Sequence, residues 1–146
     1  MEQKTIGIAC DHAGYQLKEF MTGYLGSLGY DVLDYGCHSE ENCDYPDFAH
    51  ELAKGIEDGD CTRGIAVCGS GNGIAMTLNK HQSIRAAICW QSEIASLASQ
   101  HNNANVCVLP GRFIDNTTAA SIVDSFLDTP FEGGRHQARL DKMPVR

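Results

Sequence analysis

The chain is 146 residues long, 42% hydrophobic, and carries a formal net charge of −8. That length predicts one domain, able to bury roughly 70% of its unfolded surface in a single core. The acidic balance lacks the basic footprint that nucleic acid or an anionic membrane requires, and no apolar run approaches the roughly 20 residues that span a bilayer.

Thr5-Ile6-Gly7-Ile8-Ala9-Cys10 is apolar and predicts the first strand. After Asp11-His12-Ala13-Gly14 comes a helix from about Tyr15 to Leu28, closed by Gly29. Asp31-Val32-Leu33-Asp34 reads as the second strand. A polar loop then leads to Asp44-Tyr45-Pro46-Asp47, where Pro46 suits the first turn of a helix reaching about Asp58. Gly64-Ile65-Ala66-Val67 is the third strand, and its helix runs from Ile74 to about Lys80. Arg85 to Trp90 is the fourth, with Ser92 capping a helix that ends near Gln100. Asn105 to Leu109 is the fifth, and Asp115 caps a helix through Leu127. Alternating strand and helix units of this length imply a five-stranded parallel sheet in a three-layer, Rossmann-like α/β/α sandwich. That domain covers residues 1–130. The tail, 131–146, is polar, glycine-containing and basic, and reads as an arm of the same domain and a poor core segment.

Seven cysteines invite a disulfide or metal reading, but there is no C-x-x-C pair, and an odd number cannot be fully paired within one chain. Cys10, Cys89 and Cys107 fall in strand-like runs, where free cysteine behaves as a small hydrophobe. Cys37, Cys43 and Cys61 lie in polar loops and receive no role. A reducing compartment fits this usage, and with no signal-like segment in residues 1–10 the expected location is cytoplasmic.

Cys68 is different. It ends the third strand and precedes glycines at alternate positions, Gly69, Gly71 and Gly73, after which a helix begins. Such a turn presents free backbone N–H groups and the positive end of a helix, a cradle for an anion or a developing negative charge. The same field favours the thiolate of a cysteine at its edge. In parallel sheets ligands bind beyond the carboxyl ends of the strands. One edge is expected to collect Asp11 and His12, the turn from Cys68 to Gly73, His101 and Asn102, and Arg112. Each has a plainer alternative: Asp11 as a helix cap, His101 complementing a helix dipole, Arg112 as a surface charge. Arg135 and Arg139, four apart, share a face if their segment is helical, and serve either a small anion or only solvent.

Several common sites are excluded by spacing. The first turn has only Gly14, which is no dinucleotide fingerprint, and Gly73 is followed by Ile74-Ala75 where a P-loop needs Lys and Ser or Thr. A C-x5-R phosphatase would need arginine at position 74. No metal site is legible.

Asp11-His12-Ala13-Gly14, Asp44-Tyr45-Pro46-Asp47, Cys68 to Gly73, Asn79-Lys80, His101-Asn102 with Asn105-Val106, and Glu132-Gly133-Gly134-Arg135-His136 with Arg139 together resemble the type B ribose-5-phosphate isomerase family. That family includes the galactose-6-phosphate isomerase subunits, and the matches span nearly the whole chain in order. Cysteine before the turn and Ile74 after it resemble the branch that uses a cysteine base. The resemblance implies interconversion of ribose 5-phosphate and ribulose 5-phosphate, a step of the pentose phosphate pathway, through a cis-enediolate. Cys68 would be the base, and Gly69, Ser70, Gly71, Asn72 and Gly73 would supply oxyanion donors. His101 would open the sugar ring, Asn102 orient that end, Asp11 relay protons between the sugar oxygens, and His12 bind beside it. Arg112, Arg135 and Arg139 would hold the phosphate. No metal or organic cofactor is implied. The family is dimeric with shared sites, so the expected assembly is a homodimer or dimer of dimers, with the 131–146 arm at the interface. Alternatives are isomerisation of allose 6-phosphate, galactose 6-phosphate or a tetrose phosphate, and a sugar-phosphate sensor without turnover.

Overall fold

A computed structural model describes residues 4–145. Its elements are β1 (Thr5–Cys10), α1 (Tyr15–Ser27), β2 (Asp31–Asp34), α2 (Tyr45–Glu57), β3 (Arg63–Cys68), α3 (Asn72–Leu78), β4 (Ala86–Ile88), α4 (Ser92–Asn102), β5 (Val106–Pro110), α5 (Asn116–Asp128) and α6 (Arg135–Leu140). A 3-10 turn, His12–Gly14, joins β1 to α1. The five strands form one parallel sheet in the order β2-β1-β3-β5-β4. The expected α/β/α architecture is therefore present, and the strand order reverses between β1 and β3. That reversal opens a crevice at the carboxyl ends of these two strands.

Strand periodicity divides the core. Ile6, Ile8 and Cys10 of β1, Ile65 and Val67 of β3, and Cys107 and Leu109 of β5 pack with α1, α4 and α5. The alternate residues, Ala9, Ala66, Cys68, Val106 and Val108, pack with Leu52 of α2 and Ile74 and Leu78 of α3. Successive side chains of a strand point to opposite faces, so the same rule that buries Ala66 turns Cys68 toward α2 and α3.

Most expected boundaries hold to within a residue or two, and the exceptions have physical causes. β4 spans three residues where 85–90 was expected. It is the sheet's outer strand, paired only with β5, and short edges limit unwanted pairing. Ser92 is the first residue of α4 and Gln91 stands at the cap without a side-chain bond. Asp115 caps α5 as expected, accepting from the Thr118 N–H at 2.8 Å. All seven cysteines are free, but Cys37 and Cys61 are buried despite their polar surroundings in sequence. Burial pushes up the thiols of Cys10 and Cys61, and a hydrogen bond with Cys89 together with burial does so for Cys107. In the tail the 135–140 stretch is helical, the condition under which Arg135 and Arg139 share a face, but His136 and Leu140 are buried where a poor core segment was expected.

One buried charge stands out in α1. Lys18 is fully buried, with Nζ 2.6 Å from Asp34 Oδ2 and 5.4 Å from the Tyr15 ring centroid. Burial opposes its charge, but the hydrogen bond and charge of Asp34 outweigh that and raise its pKa above the ordinary 10.5. The contribution from the lysine's titration is thus fully present below 10.5 and is lost as pH rises through the raised folded-state value. Removing one partner of a buried pair strands the other. Asp34→Ala is expected to lose about 2–3 kcal/mol in urea denaturation, and Lys18→Met distinctly less. Equal losses would mean that lysine packing, and not its charge, sets the cost.

Candidate active site

The crevice between β1 and β3 is built mainly from backbone. Asp11 N–H donates to the Val67 carbonyl (3.2 Å), Gly111 N–H to that of Cys68 (2.8 Å), and Arg112 N–H to that of Gly69 (3.0 Å). The turns after β1, β3 and β5 are therefore tied to one another. Gly14 has no room for a side chain, since a Cβ there would lie 2.7 Å from the Val67 carbonyl oxygen. Cys68 ends β3, nearly buried at 5% exposure, and Gly71 turns the chain into α3 with φ +83°.

Around this turn the structure gathers part of the expected set. Asp11 is buried at 7% exposure, and its Oδ1 accepts from Gly14 N–H at 3.1 Å, so the capping alternative is realised. His12 Nδ1 accepts from Cys43 N–H at 3.2 Å, which leaves the ring proton on Nε2. Ser70 Oγ accepts from Asn72 N–H at 3.2 Å, so one turn donor is satisfied internally while the hydroxyl keeps its own proton to give. The Arg112 side chain lies over Gly69, its Cδ 3.3 Å from where a Cβ would stand. Tyr45 occupies the space a Gly73 side chain would need.

Sequence reasoning missed two of these supports. Cys43 received no role, yet its backbone holds His12, and burial with the neighbouring Cys37 pushes its thiol up to about 11. Tyr45 was legible only as part of the Asp-Tyr-Pro-Asp block. Its position against Gly73 depends on how α2 packs beside α3, which no local pattern encodes.

His101, Asn102, Arg135 and Arg139 are elsewhere. α4 runs back against the strands, so its last residues, His101 and Asn102, arrive at the amino end of the sheet. Asn105, just beyond, bonds through its carbonyl to Gly64 N–H, and Gly64 pairs with Val106 whereas Cys68 pairs with Pro110. The length of β3 thus separates the two groups, about 13 Å of strand at ~3.3 Å per residue. The expectation that one edge of one chain collects every residue is corrected on this ground. Between parallel strands each connecting helix runs back along the sheet, so its carboxyl terminus reaches the amino edge. Glu132 N–H donates to the Gln100 carbonyl at 2.9 Å, holding the 131–134 loop at this amino end. There His101 and His136 stack with ring centroids 4.4 Å apart and planes 14° from parallel. Burial first, then His101 and Arg135, hold the His136 imidazole below its ordinary range. Arg135 and Arg139 are exposed on α6, four apart on one helical face.

Residues 6–143 match the family model described as Ribose/Galactose Isomerase. The chain belongs to that family. Ribose-5-phosphate isomerase B of Escherichia coli K12 is 39% identical over 138 residues, 94% of this chain and 93% of that protein. The crystal structure of a ribose 5-phosphate isomerase from Thermotoga maritima shares 45% identity, covers 98% of this chain and 99% of its own, and superposes with a TM-score of 0.96. A Mycoplasma genitalium ribose-5-phosphate isomerase B solved with bound ribulose-5-phosphate is 41% identical with a TM-score of 0.91, covering 95% of this chain and 93% of that one. No described helix is long and apolar enough to cross a membrane.

The turn itself is testable. At Gly71, an alanine meets both a left-handed φ of +83° and Val108 Cγ1 at 3.1 Å from its Cβ. Gly71→Ala is expected to cost about 1–3 kcal/mol in denaturant unfolding. A variant as stable as the parent would mean that the turn relaxes into another conformation.

Proposed function

We propose that this protein interconverts ribose 5-phosphate and ribulose 5-phosphate, and that its complete site forms from two copies of the chain. The observation that carries the reading is Cys68, at the end of β3 and the head of the glycine turn, with Asp11, His12 and Arg112 on the tied turns beside it. Family membership and the activity for which the Escherichia coli relative is named support the substrate class.

In the proposed reaction His101 first opens the furanose, which hides its carbonyl. The Cys68 thiolate then takes the proton from C2 of the aldehyde form. The electron pair moves through the new C1–C2 double bond onto O1, giving the cis-enediolate. Backbone N–H groups of 69–73, apart from that of Asn72, which already donates to Ser70 Oγ, and the Ser70 hydroxyl face this charge as fixed donors, worth most where water is excluded. Asp11 carries the hydroxyl proton from O2 to O1, and the Cys68 thiol returns its proton to C1. Proton count and charge are conserved, and no cofactor enters the sequence. His12, with its proton on Nε2, donates to a substrate oxygen, and Arg112, Arg135 and Arg139 neutralise the phosphate.

The separation of Cys68 from His101 within one chain supports the two-copy site. A symmetric dimer places the same two patches against each other twice, so each thiol end receives the partner's imidazole end. Exposed apolar side chains at the carboxyl edge, Phe113 at 75%, Trp90 at 53% and Tyr45 at 37%, are consistent with a covered surface there. In this assembly the 131–146 arm delivers Arg135 and Arg139 to the neighbour's site.

The direct test is ribulose 5-phosphate formation from ribose 5-phosphate in excess EDTA. Turnover is expected to persist in EDTA and to fall about 10²–10⁴-fold in Cys68→Ala with binding retained. No turnover by the wild type would overturn the substrate assignment and move the search to allose 6-phosphate, galactose 6-phosphate or a tetrose phosphate. Full turnover by Cys68→Ala would remove the thiol base.

Mixing tests the shared site separately. Cys68→Ala and His101→Ala proteins, each impaired alone, are expected to regain activity once their subunits exchange, because mixed dimers contain one intact site. Continued inactivity after confirmed exchange would place both residues in sites formed by a single chain.

A further inference from the structure

His136 carries a polar atom that the fold leaves unsatisfied. Its Nε2 is buried and has no hydrogen-bond partner among the described residues. Glu132 Oε1 lies 3.8 Å away, too far for a hydrogen bond, although the residues are one helical turn apart. A buried nitrogen left without a partner is destabilising, and nothing in the Lys18, Asp11 or His12 networks shows a comparable omission.

The surroundings of that nitrogen are a ligand set. One nitrogen each from His101 and His136 and a carboxylate oxygen of Glu132 all lie within 4.8 Å of one another. Two imidazoles and one carboxylate form a donor set used for zinc, with a fourth position left for water. We propose that His101, Glu132 and His136 bind a divalent transition-metal ion of the zinc class, and that the ion blocks the His101 imidazole. The functional consequence rests on the ring-opening role given to His101 above; the binding itself does not.

Geometry and charge shape the proposal further. The two rings stack at 14°, so their in-plane lone pairs do not yet converge. His136 is nearly buried and fixed, whereas His101 is half-buried at the end of α4 and is the ring that turns toward the ion. Glu132 is exposed and closes from the loop. Arg135 and Arg139 stand on the same short helix, and two guanidinium charges oppose any cation held by charge alone. Hard ions such as Mg²⁺ and Ca²⁺, which depend on oxygen ligands, are therefore rejected, while imidazole favours Zn²⁺, Co²⁺ and Ni²⁺. A second imidazole pair, His50 Nδ1 and His81 Nε2 at 2.8 Å with Glu57 on His81, is the obvious competitor for such ions. It lacks the unsatisfied buried atom, and its two facing nitrogens already share a proton.

The experiment uses the EDTA-stripped full-length protein, titrated with Zn²⁺ against a chromophoric chelator and with Co²⁺ by visible absorption. One ion per chain is expected to bind, with tetrahedral Co²⁺ bands, and Mg²⁺ in large excess is expected not to displace it. Glu132→Gln and His136→Ala should each weaken binding roughly tenfold or more, and His50→Ala should leave it unchanged. In assays, added Zn²⁺ should suppress turnover and EDTA should restore it. Glu132→Gln, exposed and able to fold, covers the case in which His136→Ala does not. No saturable binding, binding unaffected by Glu132→Gln, or binding lost with His50→Ala would each overturn the site. Binding to a protein with no activity on ribose 5-phosphate would leave the site standing and remove only the proposed reaction.

Discussion

The tie between the ends of β3 and β5 organises this molecule. Gly111 N–H to the Cys68 carbonyl at 2.8 Å and Arg112 N–H to the Gly69 carbonyl at 3.0 Å continue the sheet beyond its last paired residues. They fix the direction in which the chain leaves β3, and hence where Cys68 stands. Asp11 joins through the Val67 carbonyl, and the close approach of Gly14 to Val67 permits that bond. Backbone bonds of this kind have little freedom to shift, which suits the role proposed for Cys68, that of a base meeting a carbon at van der Waals distance. The side chains of the site then need only short, local supports, such as Cys43 N–H on His12.

The same parallel sheet imposes the division of the site. Every helix runs back along the strands, so the chain cannot bring the end of α4 to the end of β3. A fold of this type places its anion cradle, with the helix amino termini, at one edge and any residue at a helix carboxyl terminus at the other. The association of two copies proposed above would resolve the conflict without altering the topology. On this view the helix α6 has a double task. Leu140 and His136 anchor it by burial, while Arg135 and Arg139 remain exposed on its surface.

How much of this was legible in the sequence follows from which interactions are local. Strand and helix order came from periodicity, the turn at 69–73 from its glycines, and the Asp115 cap from one residue type. Those signals act over a few positions. The division of the site was not legible from residue types, although the parallel direction of the strands carries it, since each connecting helix must run back to the amino edge. Tyr45 against Gly73, Cys43 on His12 and the burial of Cys37 depend on packing between distant segments. The tail was misjudged because polarity averaged over 131–146 hides two inward positions, His136 and Leu140, four apart. Four-residue spacing on a short helix suffices to bury one stripe while the rest stays polar.

The cysteines show why residue type alone is a weak guide to reactivity here. Burial and neighbouring thiols push Cys10, Cys43 and Cys107 away from ionisation, so these sulfurs act as packing volume. Cys68 is also nearly buried, yet it stands where a strand gives way to a turn rich in backbone N–H groups. Its distinction is positional. Cys107 sits three residues short of the level at which Cys68 ends β3, since Cys107 pairs with Ile65 and Pro110 with Cys68, and that distance along the strand separates core from crevice. Pro110 holds the corresponding place on β5 and offers no titratable group. Among the tied turns of β1, β3 and β5, a thiol therefore meets the glycine cradle only at position 68, which is why the proposed base is placed there.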